Sequence, residues 1–176
     1  QEIGESVIKG QVSETSGRFG EAYDFKGGSL DIGRKNEFAI ADQAYSVSLW
    51  FTRNPGSTDG QARRLISAGG GSEQKAGWAL WLQKDGSGLT FRIGDGDSAS
   101  DLTSKHESLV NGEWHHVVFT VERESSRVSL FLNGVLAEES KTATLLAGKT
   151  IGSSSGLCIG RNSDDQQHHL GKIDDV

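Results

Sequence analysis

Two alternating runs between Val110 and Leu136 constrain the fold more than any other stretch. In the first, His115, Val117, Phe119 and Val121 fall on one side, with His116, Val118, Thr120 and Glu122 on the other. In the second, Val128, Leu130 and Leu132 oppose Ser129, Phe131 and Asn133. A side-chain period of two means extended strands, each turning an apolar face to a core. The polar stretch Arg123–Arg127 between them reads as a hairpin loop. Asn133-Gly134 then turns the chain again, because both residues tolerate the positive φ of a type I′ turn. Three antiparallel strands in succession leave no room for the crossover helix that a parallel sheet needs.

The same rhythm recurs elsewhere. Tyr45–Thr52 alternates, as do Gly77–Gln83 and Leu89–Ile93, with a shorter strand at Arg64–Ala68. Ala22–Phe25 and Ser29–Ile32 flank Gly27-Gly28 and read as a short hairpin or a kinked strand pair. Leu157–Arg161 and Leu170–Val176 complete the pattern. Residues 1–18 are weakly patterned and read as an edge strand or a linker. A short helical turn is expected over Glu37–Ala44, a polar loop over Gly94–Lys105 and an irregular stretch over Lys141–Ser155. The count is about ten strands at the spacing typical of a sandwich. The expected fold is all-β: a two-sheet antiparallel β-sandwich with jelly-roll connections, in a single domain over residues 1–176.

Charge narrows the function. A net charge of −6 argues against an electrostatic nucleic-acid binder and against docking on anionic membranes. No run reaches the length of a membrane span, and no signal peptide is evident. The first residue is Gln1 and the last residues read as mid-strand, so a module of a larger multidomain chain is expected. Lone Cys158, between Leu157 and Ile159, reads as a small buried apolar residue.

Five segments, in order, resemble the laminin-G-like jelly-roll domains of the concanavalin A-like lectin/glucanase superfamily. Gly112-Glu113-Trp114-His115-His116-Val117 resembles their G-x-W-H-H-V signature, and Leu130–Val135 the strand and Asn-Gly turn that follow. Gly171–Val176 resembles the closing G-x-I-D-D/E-V strand, and Phe19–Phe25 and Tyr45–Trp50 the opening strands. The resemblance implies a secreted or cell-surface module that binds a glycan or another cell-surface ligand without catalysis. It also admits a structural or protein-interaction module and, less readily, a glycosidase or lyase. Related glucanases carry E-x-D-x-x-E on one strand, and no such run occurs here. The histidine pair is expected to pack and to hold loops.

Relatives often bind a structural Ca²⁺ where the opening and closing strands meet. The resemblance assigns that ion to the Gly28 carbonyl and Asp175, with Asp24 and Asp174 as neighbours. The alternative is that Asp175 caps backbone donors or pairs with an arginine. Asp95 and Asp97, followed by Asp101, superficially resemble a calcium loop but lack the glycine and glutamate of an EF-hand. Asp164-Asp165 with His168-His169 could meet a transition metal, though adjacent residues rarely converge on one ion. For a sugar, Trp50 and Trp81 lie on the polar side of their strands, and Trp81 with Gln83 is the better stacking candidate. Asp95 and Asp97 are the carboxylates expected to join them.

Overall fold

The computed structural model describes residues 6–33, 43–55, 60–69, 76–105, 109–141, 151, 156–162 and 164–176. Their strands are β1 (Val7–Lys9), β2 (Val12–Ser16), β3 (Glu21–Lys26), β4 (Ser29–Gly33), β5 (Tyr45–Phe51), β6 (Arg63–Gly69) and β7 (Gly77–Leu82). There follow β8 (Gly88–Gly94), β9 (Ala99–Lys105), β10 (His115–Glu122), β11 (Arg127–Leu132), β12 (Val135–Lys141), β13 (Leu157–Ile159) and β14 (Leu170–Asp174). The first sheet runs β1-β4-β13-β6-β7-β8-β9 and the second β12-β11-β10-β5-β14-β3-β2, and every pairing is antiparallel. The expected sandwich is the observed one.

The inner faces meet as the alternation requires. Phe119 of β10 stacks on Phe91 of β8 with ring centroids 4.1 Å apart, and Trp78 of β7 lies 5.2 Å from the same ring. Phe25, Leu49, Phe51, Leu65, Leu80, Leu89 and Leu130 fill the rest of the core at 0–1 % exposure. Burying such side chains stabilises by about 1.5–3 kcal/mol each. The Asn133-Gly134 turn has φ of 51° and 79°, the left-handed pair a type I′ turn needs.

Two expectations are corrected. β3 and β4 are not a hairpin: they belong to opposite sheets, and Gly27-Gly28 carries the chain across the sandwich edge. A Cβ at Gly28 would lie 2.6 Å from the Lys9 carbonyl oxygen, so only glycine permits that crossing. The stretch read as a loop from Gly94 to Lys105 is mostly β9, joined to β8 by a tight turn over 95–98. Its sequence conceals this because it is an edge strand, with Leu102 its only buried apolar residue. Residues 7–9 and 12–16 form two strands, one in each sheet. The expected helical turn at Glu37–Ala44 and the irregular stretch at Lys141–Ser155 fall largely outside the described residues.

Candidate functional site

The G-x-W-H-H-V run organises loops. His115 is 3 % exposed and packs against Phe51, and its Nε2 donates to the Val110 carbonyl at 3.3 Å. A carbonyl can only accept, so Nε2 carries the proton and Nδ1 accepts from Asn133 Nδ2 at 3.4 Å. Burial holds the His115 pKa below its ordinary value, although the bond to Val110 opposes the shift. The Asn133 side-chain oxygen accepts from the His116 backbone N–H at 2.9 Å. One histidine therefore pins the loop before β10, and the turn after β11 folds back onto both.

On the outer face of the second sheet, the Trp50 ring stacks on His116 with centroids 4.8 Å apart, and the edge of Phe19 meets it at 5.6 Å. The Arg18 guanidinium lies 5.3 Å from the Trp50 ring. Phe19 itself is 59 % exposed. What holds the Arg18-Phe19 segment there is Asp174. Its Oδ2 accepts the backbone N–H groups of Arg18 at 2.7 Å and Phe19 at 2.9 Å, and the residue is 6 % exposed. A Cβ at Gly17 would collide with that carboxylate.

The calcium ligands named from the resemblance do not converge. Asp174 is committed to the two backbone donors. Asp175 is exposed, just past the end of β14, with φ of 49°. Gly28 lies at the other end of the β3–β14 pair, whose register runs from Leu170↔Lys26 to Ile173↔Tyr23. The five positions from Leu170 to Asp175, at about 3.3 Å each, put roughly 17 Å between the two ends. Ligands of one calcium ion all lie within about 2.6 Å of it, so Gly28 and Asp175 cannot share one. Asp24 faces Lys172 across the ladder and pairs with Lys26 Nζ at 3.3 Å. These residues do not fit the expected ion, and no group of three or more His, Cys, Asp or Glu among the described residues could hold a metal.

His168 and His169 also diverge. His169 points inward at 0 % exposure, where its Nε2 donates to the Thr52 carbonyl at 2.9 Å. Burial pushes its pKa down to about 4, so it is neutral at pH 7. His168 stays near the surface, with Nε2 3.1 Å from the Asp165 carbonyl oxygen. Cys158 is buried, and desolvation raises its thiol pKa to about 12, which makes it a poor nucleophile.

Trp81 borders an open groove of about 720 Å³. Its floor and walls come from the chain entering β6, the end of β7, and the segment that precedes β14. Gln61, Gln83, Gln166 and Gln167 bring amides, Arg63 and Lys84 bring cations, and His168 closes one side. The sequence places Trp81 and Gln83 correctly on the outward face and misses the rest of the lining. Gln166 to His168 reach the groove through long-range bonds. The Arg64 N–H donates to the Gln167 carbonyl at 2.8 Å, Arg64 Nε to Gln167 Oε1 at 2.8 Å, and Arg63 Nη1 to the His168 carbonyl at 3.0 Å. The only sequence signal was an Arg63-Arg64 pair leading into a buried strand. Asp95 and Asp97 are absent from the groove. They sit in the β8–β9 turn, where Asp95 Oδ1 accepts the N–H groups of Asp97 and Ser98 at 3.0 and 2.7 Å. β8 runs from Gly88 to Gly94 between the two places, about 20 Å at strand rise.

The groove is rich in donors and acceptors. One end of the Gln83 amide bonds Ser87 Oγ at 3.3 Å, while the other is buried without a partner. The Arg64 guanidinium lies 3.9 Å from the centre of the Trp81 ring and Arg92 lies 5.5 Å from it. Arg64 covers part of the indole, so a ligand can meet only what is left.

Comparison with known proteins agrees with this architecture. No curated protein sequence matches the chain significantly. Among solved structures, the mouse laminin α1 chain, domains LG4-5, overlays with a TM-score of 0.59 at 12 % identity, covering 96 % of this chain and 39 % of that one. The chain thus spans well under half of that structure. Domain 4 of an extracellular GH43 arabinanase from Geobacillus stearothermophilus, in complex with arabinotriose, gives 0.55 at 16 % identity, covering 98 % and 80 %. The CBM40 of a Ruminococcus gnavus IT-sialidase, bound to α2,3 sialyllactose, gives 0.60 at 12 % identity, covering 96 % and 89 %. At these identities the overlays establish the fold alone. Residues 24–176 match a laminin G family profile, and the chain belongs to that family within the concanavalin A-like lectin/glucanases superfamily.

Proposed function

We propose that this chain is a non-catalytic carbohydrate-binding module and that its ligand lies in the groove beside Trp81. The observation that carries the reading is the composition of the groove: four glutamine side chains converge on an aromatic wall, and one amide end is left without a partner. Amides that both donate and accept suit vicinal hydroxyls, and an indole edge suits the C–H surface of a sugar. Among the described residues no carboxylate lines this groove, whereas glycoside hydrolysis by the usual route needs two. Two of the overlaid structures hold saccharides, arabinotriose and sialyllactose, which supports the same class of ligand. An extracellular setting is part of the proposal, because such ligands are displayed there.

The test is a glycan array followed by calorimetric titration of the best binder. Trp81→Ala and Gln83→Ala should each weaken binding by about tenfold, the scale of losing one well-placed contact. Affinity that survives both substitutions would move the site elsewhere. A second reading, a protein-interaction module, draws on Phe19, which stands exposed over Trp50 on the opposite sheet. A Phe19→Ala protein that loses a protein partner while the array stays silent would favour it.

A further inference from the structure

A break in the strand ladder beside Trp81 decides how the indole is presented. β6 and β7 pair Arg64 with Trp81 and Ile66 with Leu80, and the register shifts between them at Leu65, a β-bulge. Leu65 and Ile66 are both buried in the core. Strict alternation back from Ile66 would turn Leu65 outward and Arg64 inward. The bulge reverses this and sets Arg64 on the outer face, directly opposite Trp81. The Leu65 carbonyl accepts the Gly160 N–H at 2.9 Å, which ties the bulge to the chain leaving β13.

Arg64 is then fixed at several points. Its backbone N–H donates to the Gln167 carbonyl and its Nε to Gln167 Oε1, both at 2.8 Å. Its guanidinium carbon lies 3.9 Å from the centre of the Trp81 ring, which is contact distance. Its Nη1 is buried without a hydrogen bond, and the electron-rich face of the indole compensates it. β8 lies on the other side of β7, and from there Arg92 reaches to 5.5 Å from the same ring, gripped by Asp101 at 2.6 and 2.7 Å. Guanidinium groups thus approach the indole from both neighbouring strands. A sugar stacks on an open ring face, and the face that Arg64 takes is closed. The ring edge remains, and it carries the N–H. Among the described residues that N–H has no hydrogen-bond partner.

We infer that Arg64 is a positioning residue that makes Trp81 a hydrogen-bond donor to the ligand and not a stacking platform. It covers the ring and leaves the edge and its N–H to meet a ligand oxygen, beside the unpartnered end of the Gln83 amide. This rests on the reading of the groove as a glycan site and assigns the contact that its aromatic residue makes. An indole N–H only donates, so it discriminates among ligand atoms in a way that a stacking face does not.

The experiment is calorimetric titration of the whole chain and its variants with the oligosaccharide that binds tightest on the array. Trp81→Phe keeps a ring beside Arg64 and loses the N–H. It should weaken binding by about fivefold or more, close to the effect of Trp81→Ala. A Trp81→Phe protein within about twofold of the parent would overturn the inference and leave the glycan reading standing, because stacking tolerates a phenyl ring. Arg64→Lys keeps the charge and removes the planar cover. In that background the Trp81→Phe penalty should shrink to about twofold, and an undiminished penalty would overturn the role of Arg64. NMR of the free chain checks the cover without any sugar. The Arg64 side-chain protons should be shifted upfield by the indole and return to ordinary positions in Trp81→Ala. Arg64 protons at ordinary positions in the parent would overturn the inference even where the array finds a binder. A silent array would overturn both readings.

Discussion

Trp50 and Trp81 occupy equivalent places in sequence: each lies on the polar side of an alternating strand, pointing away from the core. Their surroundings differ in kind. Trp50 is closed in by the rings of His116 and Phe19 and by the Arg18 guanidinium, under a segment that Asp174 ties down through two backbone N–H groups. Trp81 is gripped by guanidinium groups and opens onto a groove of amides and cations. A tryptophan supported by rings and a capped loop contributes to stability. One set against unpaired polar groups is placed for a ligand. The lesson is that an outward tryptophan is defined by what its neighbours still lack.

The largest expected effect breaks the first side of that comparison. Asp174→Ala strands two backbone donors beneath the Arg18-Phe19 segment and should cost about 3 kcal/mol in urea unfolding, with glycan affinity unchanged. An Asp174→Ala protein as stable as the parent would mean that the Trp50 cover is held by something else.

Acid should act on a similar scale through His169. Its folded pKa of about 4 lies below the ordinary 6.5, so the folded form stays neutral while the unfolded chain takes a proton. The contribution is complete above pH 6.5 and is lost as pH falls from there to about 4, for a total of about 3 kcal/mol. Stability measured against pH should slope over that window, and His169→Gln should flatten it. A window that slopes equally in both proteins would assign the effect to other groups.

Next come the tryptophans themselves. Trp50→Ala should lower stability by about 2 kcal/mol, less than a fully buried aromatic would cost, with no change in ligand affinity. Trp81→Ala should do the reverse, weakening the ligand about tenfold with a smaller loss of stability. Equal effects of the two on binding would erase the distinction. The smallest effect belongs to Asp101→Asn, which loosens the exposed pair with Arg92 and should cost about 0.5 kcal/mol.

Much of the fold was legible because one face of each central strand is buried. β10 reads buried, half-buried, buried along its length, and its sequence alternates to match. β9 was not legible, since an edge strand with a single inward apolar residue has no rhythm to read. A smaller part of the candidate site was legible too. Trp81 and Gln83 declare themselves as polar-face residues of a strong strand. Gln167 and His168 do not, because what brings them to Arg63 and Arg64 is one backbone bond and two arginine side-chain bonds between residues about a hundred positions apart. The grouping of Asp95 and Asp97 with Trp81 failed for a related reason: proximity in sequence crosses a whole strand length in β8. The same geometry separates Gly28 from Asp175.

The central claim is that the Trp81 groove, and not the Trp50 face, receives the ligand. It is tested most directly by two-dimensional NMR of the labelled chain titrated with the best-binding oligosaccharide of the glycan array. The account predicts saturable shifts at the Trp81 indole N–H, the Gln83 side-chain amide and the backbone of Gln166 to His168, with Trp50 and Phe19 unmoved. Shifts concentrated at Phe19, Trp50 and His116, with the groove silent, would contradict it.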